Sequence, residues 1–286
     1  GANAAENIST GTSNVAIGQS AIGTGVTTGN ENVAVGHRAG LTLTSGPRNT
    51  LIGSSTGDAL TTGYYNTALG YQALSSSVSG RNAVAIGYQA LMSEAATNSE
   101  TYNVAVGYVA GTAVTTGVNN TLIGGLAGDA LLTGSYNVAL GYGALSAADG
   151  SESKNVAIGA NALAVLNNDG DAFNVAVGYS SGALMTTGIN NTLIGGLAGD
   201  AITEGNFNTA VGYTALSSQT TSSGNTALGW GAGANITTGG DNTALGMYAL
   251  HTEDGTGKNV AVGNNALKLQ NAASDAYNVA VGHSAG

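Results

Sequence analysis

The sequence predicts an all-β fold: a parallel β-roll or β-solenoid of about 17 coils, each about 17 residues long. Three observations carry that expectation. First, a short motif, Asn-(Val/Thr)-(Ala/Leu)-(Ile/Val/Leu)-Gly, recurs along the whole chain. Its glycines are Gly18, Gly36, Gly53, Gly70, Gly87, Gly107, Gly124, Gly141, Gly159, Gly178, Gly195, Gly212, Gly229, Gly246, Gly263 and Gly282. Second, the stretch NNTLIGGLAGDA occurs twice, at Asn119–Ala130 and Asn190–Ala201. Third, the 286 residues include 47 glycines, one proline and no cysteine, and only 8% are charged, where an ordinary domain carries roughly 25%.

A unit of about 17 residues is too short to bury its own apolar face, so each must stack on its neighbours. The motif is rich in β-branched residues and bounded by turn residues, which reads as strand. A helix is disfavoured because glycine falls every few residues, at roughly 1 kcal/mol each in a helix interior. At about 3.3 Å per residue, one unit forms a loop of roughly 56 Å contour, enough for two short strands and two turns. NAVAIG at Asn82–Gly87 reads as a copy with one inserted residue. Gly1 opens a seventeenth coil, because GANAAENISTG parallels GWGAGANITTG at Gly229–Gly239.

Within Val104-Ala105-Val106, alternation sends the two valines to one face and the alanine to the other. Leu122 and Leu193 replace that alanine in the NTLIG rungs, so both faces are apolar. One face fills the roll; the other requires an outside partner. The recurring asparagines (Asn14, Asn32, Asn49, Asn66, Asn103 and successors) suit a ladder bonded to turn backbone in adjacent coils. The glycine after each strand suits a positive φ or a close backbone approach. TTG clusters such as Thr61–Gly63 and Thr115–Gly117 mark the opposite turn.

Three residues beyond each of these glycines stands alanine (Ala73, Ala90, Ala110, Ala127), with Thr56 and Ser181 as small exceptions. The next position alternates in pairs. Glycine holds it at Gly40, Gly57, Gly111, Gly128, Gly182 and Gly199, and leucine at Leu74, Leu91, Leu145, Leu163, Leu216, Leu250 and Leu267. A four-coil unit follows, repeating from Asn119 to Asn190, which accounts for the verbatim copy and slips near Gly212–Gly246. Residues 1–286 therefore read as one continuous repeat region, a segment of a longer polypeptide.

Composition excludes several function classes. Six scattered cations against a net charge of −10 leave nucleic-acid binding without its main driving force, and an anionic membrane surface is disfavoured likewise. No apolar run is long enough to span a bilayer. Without cysteine there is no disulfide, thiolate metal site or cysteine nucleophile. GGLAGD resembles a phosphate-cradling loop, but such a loop must open a helix. Here ALLTG or AITEG follows, and equivalent glycines occupy every rung.

NVAIGQSA, NVAVGYVA and NVAIGANA resemble the head repeats of trimeric autotransporter adhesins. The longer form NTALGYQAL resembles repetitive shafts of phage tail fibres. The likeness covers essentially the whole chain. It implies a left-handed β-roll, three identical chains packed side by side, and an extracellular attachment role at a cell surface or on a virion. These coils are longer than the adhesin-head repeat, and the Leu/Gly alternation is more regular.

Candidate sites are few. Asp58, Asp129 and Asp200 share a rung position but lie about four coils, or roughly 19 Å, apart, too far for a shared metal; backbone capping is their expected role. A second acidic set (Asp149, Glu152, Asp169, Asp171, Glu253, Asp254, Asp275) falls in the longer loops and is expected to be solvated. NNDGD at Asn167–Asp171 makes bound calcium the weak cofactor alternative, though it lacks a downstream bidentate glutamate. Just after the motif glycine stand Tyr71, Tyr88, Tyr108, Tyr142, Tyr179, Tyr213 and Trp230. These are candidate surface-binding aromatics for a host receptor or glycan, weighed against a plain role covering the roll's edge. A second aromatic column (Tyr65, Tyr102, Tyr136, Phe173, Phe207, Tyr277) precedes the asparagine. The histidines His37, His251 and His283 are isolated, and no Ser/His/Asp set appears, so no enzyme is expected. The leading expectation is a homotrimeric structural fibre or adhesin segment. A self-assembling filament or matrix protein and an ice-binding solenoid using its TTG turns are the alternatives.

Overall fold

The computed structural model describes residues 1–95, 100–147, 150–252, 257–270 and 275–286. It is an all-β parallel solenoid with two compact units, one built on Gly1–Tyr142 and the other on Glu152–Gly286. Eight three-residue strands, β1 (Val15–Ile17) to β8 (Val138–Leu140), lie in the first unit. Eight more, β9 (Val156–Ile158) to β16 (Val279–Val281), lie in the second. Within each unit every strand pairs in parallel with the strand one coil on, like position against like: Ala34 faces Ala16 on one side and Leu51 on the other. No helix among the described residues is long and apolar enough to cross a membrane.

Among the described residues, sixteen strand-bearing coils replace the expected seventeen. The stretch before β1 supplies only part of a coil: Gly1 stands against Gly18, and Ser20 N–H donates to Ala2 O at 2.9 Å. The inserted residue expected in NAVAIG is also absent. Val84 lies opposite Thr67 in unbroken register, so Ala83 itself occupies the asparagine position.

The second strand expected in each coil does not form among the described residues. After the motif glycine the second and fourth residues adopt left-handed conformations, as in Gln72 (φ 54) and Leu74 (φ 55), and Gln89 (φ 54) and Leu91 (φ 48). A β-strand cannot contain them, since extended backbone needs negative φ. This wall still bonds coil to coil, with alternate amides pointing opposite ways. Gln72 N–H donates back to Ser54 O at 3.1 Å, and Leu74 N–H donates forward to Ala90 O at 3.0 Å. Those bonds offset the roughly 1–2 kcal/mol that each non-glycine left-handed residue costs.

The motif glycines have φ between 128° and 147°, a region closed to side chains. Most also lie so close to their counterpart one coil on that a Cβ would collide with it, as a Cβ on Gly53 would meet the carbonyl oxygen of Gly70 at 2.5 Å. The asparagines form a continuous buried ladder in most coils. Asn49 Nδ2 donates to Asn32 Oδ1 at 3.1 Å and to Gly63 O at 3.0 Å, while its backbone N–H donates to the same Asn32 oxygen at 2.8 Å. Its own Oδ1 accepts both groups of Asn66. The amide is thus fully satisfied at zero exposure, which is what a buried polar column requires.

The Leu/Gly alternation is a packing code. The fourth residue after the motif glycine is left-handed whichever type stands there, as Leu145 (φ 54) and Gly128 (φ 56) show. Glycine is therefore not chosen for its backbone at this position. Leu122, at the centre of β7 (Thr121–Ile123), reaches with its two methyls to where side chains on Gly111 and Gly128 would stand, 2.7 Å from the place of each Cβ. A large residue at the strand centre thus substitutes for two at the fourth position. Leu51 and Leu193 repeat the arrangement, and close packing of the narrow interior results.

Candidate functional site

The strand centres settle which face is inside. Ala34, Leu51, Ala105, Leu122, Ala176 and Leu193 are fully buried, while the residues flanking them point outward and stay half exposed. The outward face carries two rows. One is Val or Thr, as in Val33, Thr50 and Thr67; the other is Ile, Val or Leu, as in Val35, Ile52 and Leu69. Val and Thr are nearly isosteric, so the first row is even in height. With the interior already filled, nothing in the same coil can cover these rows.

Tyr71, Tyr88, Tyr108 and Tyr142 stand on the first unit and Tyr179, Tyr213 and Trp230 on the second, each 42–63% exposed. The rings of Tyr71 and Tyr88 stack at 5.5 Å and those of Tyr88 and Tyr108 at 5.4 Å, nearly parallel. The middle ring therefore has both faces against other rings, leaving its edge and hydroxyl outward. In the second aromatic column Phe173 and Tyr277 are half exposed, with Lys154 and Lys258 lying over their rings at 5.0 and 5.3 Å.

The acids that sequence analysis singled out do not converge. Asp58 pairs with Arg38 at 3.5 Å. Asp129 and Asp200 each hold one buried carboxylate oxygen with no partner. Burial raises the pKa of all three, opposed less strongly by the Arg38 charge at Asp58 and by local backbone N–H groups at all three. Asp171 and Asp275 are taken by Lys154 at 2.6 Å and Lys258 at 2.5 Å. Glu152, expected in solvent, is fully buried. Asp149, Glu253 and Asp254 lie outside the described residues. Among the described residues no three His, Cys, Asp or Glu side chains are placed to hold a metal ion.

The first threonine of these TTG turns uses its hydroxyl internally. Thr61 Oγ1 donates to Val78 O at 3.0 Å, Thr115 Oγ1 to Leu132 O at 2.9 Å and Thr186 Oγ1 to Thr203 O at 3.1 Å, each one coil on. A row of hydroxyls committed in this way is poorly suited to matching a water lattice.

No family model, curated protein or solved structure matches the chain. The surfaces themselves therefore carry the functional reading.

Two groups escaped sequence reasoning. Glu94 is fully buried and completes the asparagine ladder where Ala83 interrupts it; nothing local in SEAAT marks it as interior. Pro47, Tyr64 and Arg81 fall in one column on three successive coils. Here a signal exists, because that column elsewhere holds only Thr, Asn, Ser, Ala, Val, Ile or Gly.

Proposed function

We propose that this chain is a non-enzymatic structural segment of an extracellular fibre or adhesin, at a bacterial surface or on a virion, assembled as a homotrimer for surface attachment. The observation that carries the reading is the outward strand face. Coil after coil presents Val or Thr beside Ile, Val or Leu, half exposed and uncovered by the chain itself. Contiguous apolar surface on that scale marks an interaction site. A sister chain is the partner that fits, since it has the same coil spacing of about 4.8 Å and can meet the rows coil for coil. A globular partner would match a few coils at most. The likeness of the NVAIG rungs to adhesin heads and fibre shafts supports the extracellular placement, and the low charge and dispersed titratable groups support a mechanical role.

Sedimentation equilibrium at micromolar concentration tests the assembly. A trimer is the expected species. A stable, soluble monomer would overturn it, and open-ended growth in mass would favour a self-assembling filament instead.

A further inference from the structure

Three successive coils of the first unit keep the period but depart from the usual residue types of one column. The segments GPRNT, GYYNT and GRNAV, at Gly46–Thr50, Gly63–Thr67 and Gly80–Val84, bring together the only proline, a tyrosine pair and two of the three arginines. In the column two residues before the ladder asparagine, which elsewhere holds only small or aliphatic residues and asparagine, such a local departure is where function is to be sought.

Ser45, Pro47, Thr62, Tyr64 and Tyr65 line a cleft of about 440 Å³, at the small end of the range for ligand sites. Tyr64 and Tyr65 meet edge to face at 5.1 Å. The Arg81 guanidinium lies over the Tyr64 ring at 4.7 Å, and its Nε is buried with no partner. The other arginines are committed. Arg48 donates to Glu31 at 2.7 Å and to the Tyr65 hydroxyl at 2.7 Å, and Arg38 pairs with Asp58. Among the described residues Arg81 has no ion pair. Glu100, bridged to it through the backbone, accepts the Tyr102 hydroxyl instead.

Unlike the buried Nε, the Arg81 Nη groups are not enclosed and hold no hydrogen bond or ion pair among the described residues, so a ligand can bring them an acceptor. A guanidinium receives a carboxylate or a phosphate in bidentate geometry. The cleft adds the hydroxyls of Ser45 and Thr62 and the apolar surfaces of Pro47 and Tyr64, which suit the C–H face and hydroxyls of a sugar ring. The chain's net charge of −10 and the nearby Glu31 disfavour a multiply charged anion. We propose that this cleft binds a sugar bearing a single carboxylate, of the uronic or sialic type, with the carboxylate on Arg81 and the ring against Tyr64 and Pro47. This goes beyond the fibre reading and does not rest on it.

Ligand-observed NMR and calorimetric titration with glucuronic acid and N-acetylneuraminic acid test the proposal, with glucose and inorganic phosphate as comparators. Saturable binding of at least one sugar acid with Kd on the order of 1 mM is expected. Arg81→Gln should weaken it by about tenfold or more, as should Tyr64→Ala, whereas Leu184→Ala, at an exposed side chain of the second unit, should leave it unchanged. Thermal melts of each variant establish that it remains folded, and Arg81→Lys supplies a gentler variant if Arg81→Gln does not. No saturable binding below about 10 mM, equal affinity in a folded arginine variant, or phosphate binding as tightly as the sugar acids would each overturn the proposal.

Discussion

Glu94 Oε1 accepts a hydrogen bond from Asn103 Nδ2 at 3.1 Å, taking the place of the ladder oxygen that Ala83 lacks. On the other side of the gap, Ala83 N–H still donates to Asn66 Oδ1 at 3.0 Å. The carboxyl group is fully buried and also meets Ser77 Oγ at 3.4 Å. Glu94→Ala would leave one of the two Asn103 Nδ2 hydrogens without an acceptor, the other still reaching Gly117 O at 2.8 Å, and should cost about 1–3 kcal/mol in urea denaturation. The amide of Glu94→Gln keeps an oxygen for Asn103 and should retain most of that stability. Equal losses in the two variants would show that the ladder contact is immaterial.

The same residue sets a pH dependence. Burial raises the Glu94 pKa above its ordinary value of 4.5, and the bonds from Asn103, Thr101 and Ser77 oppose this only in part. A carboxyl whose folded pKa is raised contributes stability fully below the unfolded value, and loses it as pH rises through the folded value. Asp58, Asp129 and Asp200 act in the same direction. The melting temperature should therefore fall as pH rises above the ordinary carboxylate range, and fall less steeply in Glu94→Gln. Parallel curves for the two proteins would exclude Glu94 as a source.

Leu122 and Gly128 should show a strong coupling. Leu122→Ala opens a cavity worth about 2–5 kcal/mol. Gly128→Leu alone forces a side chain onto the Leu122 methyl, 2.7 Å from its Cβ position. The double variant removes that clash and approaches the Ala-and-Leu coil found at Ala68 and Leu74, although Leu131 still lies 3.0 Å from the Gly128 Cβ position and Gly111 stays small. A favourable interaction of about 1–3 kcal/mol is expected from the double-mutant cycle; simple additivity would refute the size exchange.

Glycines of the two kinds should respond differently. Gly53→Ala meets both a φ of 136° and the Gly70 carbonyl, and should cost about 3 kcal/mol or more. Gly125→Ala meets only ordinary contact with the Tyr142 ring, at 3.5 Å, and should stay within about 0.5 kcal/mol of the parent. Thermal melts of the two proteins decide it.

Val106→Asp places a charge in the outward row of β6 (Val104–Val106) and leaves the interior untouched. It should dissociate the assembled species in sedimentation while the strand signal in circular dichroism persists. A trimer that survives the change would mean that chains associate through another surface. A chelator should leave the melting temperature unchanged, because Asp171 and Asp275 already hold lysines.

Much of the coil is legible in sequence because repetition turns each position into a column. Asn49, Gly53 and Leu51 announce a ladder, a strained turn and an interior rung through recurrence alone. Columns fail where a residue acts out of pattern. Ala83 reads as an insertion because its partner Glu94 reaches it through the interior from a different column. Pro47, Tyr64 and Arg81 show no relation until stacking places the first two on one cleft and Arg81 over the Tyr64 ring at its border.

The amino-acid sequence by itself determined the period, the strand positions and the glycines that no other residue can replace, since these follow from local φ and from the need of each coil for neighbours. Only the tertiary structure decided that Ala105 faces in and Val104 and Val106 face out, because a strand apolar on both sides satisfies its alternation either way. It also decided that the opposite wall is a run of alternating left-handed residues. There the bonds between coils, which no single coil can make, hold Gln72 and Leu74 in conformations their own chemistry disfavours.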